Sequence, residues 1–445
     1  MKQIVNRSNR LNYSLKWISL ESLTYQCILL LHQILLFKIS GYKTYGAIGT
    51  IFSLVYFTVT ITSFGLESSL SPFFQKLSKS RAAFRSFFLV QCIPTIVLSI
   101  IAGTLFICFK YTGLSSGLML LIALLIFTES IKKTLRGILY LAFENKINAS
   151  VEIASILTYV FSVWLLYFIK KQVTLAIIFI PMFAVSLFSS ALLFFFIYQF
   201  YKQLPRTKIP LDEEISCWRV AKCRLFNFIN QFGHNMFSSN FLIPFFAFQF
   251  GLTQAGIFKL LSHISYGITS LMRKIFGWTS DSLLSQAKHM TIVYKRTVFS
   301  LITQRLNHVF YALLIFSAIN ASKLINYSHI INSYSNWILI YLFLLITLSD
   351  NLFITYEKFY IAEEKNHINL IFNTLSIVAI SIVILLAPTI SQLSALCYIA
   401  VIRVIMFAII SLFSFFVWNI QPTWRVRPRY IAAYLIISIA VSFIL

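Results

Sequence analysis

Charge is scarce in this chain. Only 11% of its 445 residues are Asp, Glu, Lys or Arg, and the acids number 13. Soluble domains carry about 25% charged residues. A water-soluble fold of this length could not hide 58% hydrophobic residues, 45 of them Phe, and the remainder would aggregate. The six cysteines, Cys27, Cys92, Cys108, Cys217, Cys223 and Cys397, form no CxxC and no Cys/His ligand spacing. That excludes a zinc site or a disulfide framework and leaves ordinary thiols. Phosphate-binding GxxxxGK[ST], HExxH and GxSxG sequences are also lacking, so no nucleotide engine, zinc protease or serine hydrolase is expected. We expect no enzyme, no catalytic residue, no metal and no cofactor.

Apolar runs are abundant instead, and the mean hydropathy is +0.81. A bilayer core about 30 Å thick needs roughly 20 apolar residues per helix. In lipid the backbone must satisfy its own hydrogen bonds, so these runs are helices. Spans are expected near 15–39, 44–66, 86–109, 113–135, 148–169 and 173–198. Six more are expected near 225–250, 254–281, 297–319, 335–359, 367–388 and 392–418. The fold class is therefore an all-α polytopic membrane protein of about twelve spans. Residues 1–14 form an N-terminal segment, 15–198 a first lobe, 199–224 a polar linker, 225–418 a second lobe, and 419–445 a basic loop with an apolar tail. That tail is long enough for an interfacial helix or a further span. The basic start runs into apolar sequence without a small-residue cleavage site and reads as an uncleaved first span.

The net charge is +24, yet the cations form no stripe for nucleic acid. They cluster between alternate apolar runs. With the N-terminus in the cytoplasm, external segments hold Lys38, Lys43, Lys110, Lys170, Lys171 and Lys323, while Lys259 and Arg403 fall within spans. All the other Lys and Arg lie inside, which is the positive-inside bias.

The halves echo one another. Gly41-Tyr-Lys-Thr-Tyr-Gly46 joins the first two spans, and Gly251-Leu-Thr-Gln-Ala-Gly256 joins the seventh and eighth. Tyr140, Ala142, Glu144 and Ile147-Asn148 after the fourth span match Tyr360, Ala362, Glu364 and Ile368-Asn369 after the tenth. Two related six-helix lobes follow, with a substrate path expected between such repeats.

Ionisable or polar groups inside spans are expensive and mark cavities or partners. Arg403 sits near the midplane of the twelfth span, as a lumen cation for an anionic headgroup or as the partner of a polar side chain. Asn227, Gln231, His234 and Ser238 share one side of the seventh span, widened by Asn230 and Asn235. They read as a hydrated wall or as interhelical hydrogen bonding. The eighth span carries Lys259, placed to snorkel outward, with His263, Arg273 and Lys274. One of the last two could meet a phosphate. In the first half, Glu21, Glu129 and Glu152 lie in the cytoplasmic third of their spans. Lys132, Lys133 and Arg136 follow Glu129 on its own side. Glu21, Glu129, Glu152 and Arg136 are candidates for a gate or for ion coupling, or form local ion pairs. Pro94, Pro181 and Pro244 are candidate hinges.

Three segments resemble a known family. Gly41-Tyr-Lys-Thr-Tyr45-Gly46 with Ser63-Phe-Gly65-Leu66, Glu129-Ser-Ile-Lys-Lys-Thr-Leu-Arg136-Gly137, and Asn240-Phe-Leu-Ile-Pro244 with Ala255-Gly256-Ile257-Phe258 resemble bacterial O-antigen repeat-unit flippases. These belong to the multidrug, oligosaccharidyl-lipid and polysaccharide exporter superfamily. The resemblance implies a MATE-like pair of lobes in a V that work by alternating access in the bacterial inner membrane. It also implies an undecaprenyl-pyrophosphate-linked oligosaccharide as substrate, membrane lipid and polysaccharide polymerases as partners, and no nucleic acid. A cation-coupled multidrug exporter shares that fold. A membrane glycosyl polymerase or transferase would carry a sizeable loop for its chemistry, and no such external loop is present.

Overall fold

The computed structural model describes residues 2–63, 80–108, 114–142, 144–206, 217–263, 265, 291–320, 334–362, 365–418, 420 and 428–444. Every element among them is helical: α1 (Lys2–Thr62), α2 (Arg81–Cys108), α3 (Ser116–Leu141), α4 (Asn145–Lys170), α5 (Leu175–Gln203), α6 (Cys217–Asn235), α7 (Ser239–Phe250), α8 (252–263), α9 (Ile292–Ile319), α10 (Tyr334–Ala362), α11 (Asn366–Leu386), α12 (Gln392–Trp418) and α13 (Pro428–Ile444). A single 3₁₀ turn, Ala387–Thr389, follows α11. Among the described residues, six helices are long and apolar enough to cross a membrane, and shorter apolar helices accompany them. Side chains such as Phe161, Phe188, Leu385 and Phe416 are 66–79% exposed. In water they would drive aggregation; in hydrocarbon they are solvated. The chain is a polytopic membrane protein of all-α architecture.

It divides into two compact units, Met1–Asn235 and Met236–Leu445. In the first, α3 packs against α2 and α5, and α1 packs against α4 and α3. Phe84, Leu135, Ile138, Leu139, Val151, Leu193 and Ile197 form a core that joins α2 to α5. Arg81 closes the far end of α5, where its Nε donates to the Leu204 carbonyl at 2.9 Å and its backbone N–H donates to Pro205 at 2.9 Å. Carbonyls left over at a helix C-terminus are thereby satisfied.

In the second unit, α10 packs against α12 and α9. Phe299, Phe353, Tyr356, Phe359, Tyr360, Phe372 and Phe407 make its core aromatic. Two hydroxyl pairs fasten α10 to α12: Tyr356 to Ser411 at 2.7 Å and Tyr360 to Ser414 at 2.5 Å. The apolar tail is helical and docks on α9. Tyr434 hydroxyl lies 2.7 Å from His308 Nδ1, and Asn320 Nδ2 donates to the Ser438 carbonyl at 3.3 Å.

The echo between the halves is geometric as well as textual. Gly41 has φ 70° and ψ 170°, and Gly251 has φ 90° and ψ 164°. Both occupy a region open essentially to glycine alone. After the second echo, Asn148 donates to the carbonyl of Arg136 and Asn369 to that of Glu357, each twelve residues back. Glu144 and Lys365 donate their N–H groups to Leu139 and Tyr360, so both preceding helices close alike.

No neighbour crowds a Cβ at Gly41 or Gly251, nor at the helical Gly117. Only backbone conformation therefore separates them. Gly41→Ala and Gly251→Ala should each cost about 1–3 kcal/mol. Gly117→Ala should be neutral or mildly stabilising. Thermal unfolding of the detergent-purified variants tests this, and equal midpoints for all three would refute it.

The spans expected at 15–39 and 44–66 are the two arms of α1 on either side of Gly41. The seventh expected span is not continuous. Residues Met236–Ser238 break it, so α6 ends at Asn235 and α7 starts at Ser239.

Candidate functional site

In the first unit, charged groups gather inside the bundle. Arg136 on α3 reaches Glu21 of α1 at 2.8 Å and Glu152 of α4 at 3.3 Å. Lys132, one turn earlier, reaches Glu152 at 3.0 Å. Tyr140 receives a hydrogen bond from Arg136 at 2.9 Å and gives its own proton to Glu21 at 3.0 Å. A planar guanidinium presents several donors in a fixed fork, so one side chain can serve two carboxylates and a phenol. Glu21, Glu129, Lys132 and Glu152 are all buried. The local pairing expected along α3 is thus a bracket across α1, α3 and α4, drawn together by residues far apart in sequence.

In the second unit, Arg403 is fully buried on α12. It is paired with Asp350 of α10. Its guanidinium lies 4.5 Å from the ring centre of Phe237 and 4.1 Å from that of Phe353. Such faces attract cations by their quadrupole. The polar-partner alternative for Arg403 therefore has a named partner, Asp350. No motif or spacing singles out that acid, although it lies well inside the 335–359 span. Glu357, two turns on, is also buried and accepts from Asn373.

The polar side of α6 is packed within protein. Asn227 and Asn230 are buried, while Gln231, His234 and Asn235 are half-buried. Arg224, a turn earlier, donates to the Ser63 carbonyl that follows α1 at 3.3 Å. Ser238 does not share this face: it lies past the end of α6, at the start of α7. Lys259 is 2% exposed on α8, so its ammonium does not snorkel outward as expected. Its neighbours on that helix, Phe258, Leu260 and Leu261, are buried as well. His263 is half-buried at the end of α8. Arg273 and Lys274 lie outside the described residues. Pro94, Pro181 and Pro244 sit inside helices α2, α5 and α7, as expected. Among the described residues, no group of three or more His, Cys, Asp or Glu is arranged to hold a metal ion.

No protein-family model and no curated protein matches this sequence. Solved structures do. The chain is similar to the eukaryotic MATE transporter AtDTX14, with a TM-score of 0.58 and 14% identity over 98% of this chain and 99% of that one. It is similar to the MATE transporter ClbM, solved in complex with Rb+, with a TM-score of 0.61 and 11% identity over 96% of both chains. A MOP-superfamily transporter from Pyrococcus furiosus matches with a TM-score of 0.54 and 11% identity, over 91% of this chain and 95% of that one. The chain has a MATE-like fold. Agreement at such low identity is agreement of fold, and the cluster at Arg136 and the pair at Arg403 are read from this chain's own residues.

Proposed function

We propose that this protein is a membrane transporter for a polyprenyl-pyrophosphate-linked oligosaccharide. In this reading it moves the sugar headgroup from the cytoplasmic to the periplasmic leaflet of a bacterial inner membrane by alternating access. The N-terminus is cytoplasmic, and enzymes that extend the polysaccharide take up the product. The fold of the structural neighbours, which are transporters, supports the general class. The observation that carries the substrate reading is the amide-rich face of α6. Asn227, Asn230, Gln231, His234 and Asn235 put donors and acceptors on one helix, the chemistry by which sugar hydroxyls are held. The excess of cations, +24 overall, suits a pyrophosphate approaching from the basic side. A polar headgroup cannot cross hydrocarbon unaided, whereas its polyprenyl tail can remain in lipid. The Pyrococcus furiosus neighbour is described as having a binding pocket of reverse polarity that suggests a different function. A chain with this fold need not carry the cargo of its multidrug relatives.

A second reading, a cation-coupled multidrug exporter, draws on the buried acids Asp350 and Glu357 in the second unit. The two separate in proteoliposomes. A fluorescent polyprenyl-pyrophosphate oligosaccharide should become accessible to an impermeant quencher across the bilayer. Gln231→Ala should slow this about tenfold, the worth of roughly one hydrogen bond to a charged or polar ligand. Absence of lipid movement together with efflux of a cationic dye would overturn the first reading in favour of the second.

A further inference from the structure

Lys132 and Arg136 are held by acids; the cations where α2 begins and α5 ends are not. Arg81 and Arg85 stand one turn apart at the start of α2, and Lys202 and Arg206 lie at and just past the end of α5. Neither helix carries an acidic residue. None of the four cations makes an ion pair among the described residues; the acids at 212–214 lie outside those residues. Because α2 begins where α5 ends, the partial charges of the two helix ends oppose one another, and the side chains set the sign.

Arg81 is occupied with structure. Besides its bonds to Leu204 and Pro205, its Nη2 donates to the Lys202 carbonyl, and its guanidinium lies 5.8 Å from the ring centre of Tyr201. Capping accounts for this one cation. It does not account for Arg85, Lys202 and Arg206, all of them exposed, which the ties of Arg81 gather at one place. The Lys202 ammonium lies 4.6 Å from the ring centre of Tyr198, a contact that steadies it without neutralising it.

An exposed apolar row leads away from the cations on each helix. Arg85, Leu89, Ile93 and Val97 follow at intervals of four along α2, and Lys202, Tyr198 and Phe194 do the same along α5. Residues so spaced share one face. Phe84 meets Phe200 at 5.6 Å between ring centres and Phe88 meets Phe194 at 6.3 Å, so the rows start side by side. A positive-inside bias asks for cations at such an end. It does not ask that they go without acids on two helices, or that each helix continue them into an exposed apolar row.

We propose that this patch binds one anionic phospholipid of the bilayer. Its phosphate accepts hydrogen bonds from Arg85, Lys202 and Arg206, and its acyl chains lie along the rows of α2 and α5. Arg81 is a positioning residue that holds the two helix ends together. The site is separate from both buried charge clusters, and lipid binding here does not depend on what the protein carries.

Native mass spectrometry of the full-length protein, released from detergent and titrated with dioleoyl phosphatidylglycerol or dioleoyl phosphatidylcholine, tests this. The wild type should bind its first phosphatidylglycerol more tightly than phosphatidylcholine. Arg85→Gln combined with Lys202→Gln should weaken that first phosphatidylglycerol about thirtyfold and leave phosphatidylcholine unchanged. Lys170→Gln combined with Lys171→Gln, which removes two exposed cations at the end of α4, should change neither. If the first pair fails to fold, each of its single replacements should weaken phosphatidylglycerol about fivefold. No loss in the folded variants, or an equal loss in the Lys170 and Lys171 control, overturns the proposal. Displacement of phosphatidylglycerol by an equimolar polyprenyl pyrophosphate, abolished by the Arg85 and Lys202 replacements, would overturn it too and assign the patch to cargo.

Discussion

Replacing Arg403 with alanine should destabilise the second unit by about 3–5 kcal/mol, because Asp350 would be left as an uncompensated charge inside the bundle. Asp350→Ala should do comparable damage from the other side. A double replacement, Asp350→Leu with Arg403→Met, should recover most of the loss, since a buried ion pair exchanged for apolar side chains of similar volume is often neutral or better. Phe237 and Phe353 already flank the guanidinium and would pack a methionine well. Thermal unfolding and size-exclusion profiles in detergent provide the stability readout. Lipid movement in the folded double variant then separates two roles that the single variant confounds. Normal transport there would confine Arg403 to holding α12 against α10. Lost transport in a well-folded double variant would place the guanidinium in contact with cargo. An Arg403→Ala protein as stable as the wild type would contradict a stabilising role for the pair.

Arg136→Ala should be the most damaging single change in the first unit. It removes the group shared by Glu21, Glu152 and Tyr140 and leaves two buried carboxylates with Lys132 alone. The cost should again be several kcal/mol, of the order of 3–5, reduced where the side chain reaches solvent. Arg136→Lys should rescue only part of it, because a point-like ammonium cannot span two carboxylates and a phenol as the fork does. The cross-check is Glu21→Gln in the Arg136→Ala background, which removes one of the stranded charges and should restore part of the midpoint. Additive losses in the double variant would show that the two residues are not coupled.

Much of the fold is legible in the chain because lipid imposes a simple rule. A helix must be apolar for a fixed length, and run length alone places α4, α5, α10, α11 and α12 within a few residues. The two turns are legible because glycines five apart precede a long apolar run in each half, and both Gly41 and Gly251 adopt a backbone few other residues accept. What is not legible is who meets whom across the bundle. Asp350 and Arg403 are 53 residues apart, and no periodicity links them. The partners of Arg136 lie on two other helices, so spacing along α3 suggested a local pairing where the bracket is tertiary. The break at Met236–Ser238 is hidden because Ser238 continues the stripe that Asn227 begins. Lys259 illustrates the opposite error: its position near a span end suggests escape to the interface, but only packing decides which way a long side chain turns.

The docking of α13 onto α9 bears on how the protein can be handled. The His308 ring and the Asn320 amide would lose their partners Tyr434 and Ser438 if residues 428–444 were cut away. Purification handles and reporter fusions therefore belong beyond that helix, and a trimmed variant meant to simplify crystallisation would forfeit the footing of α9.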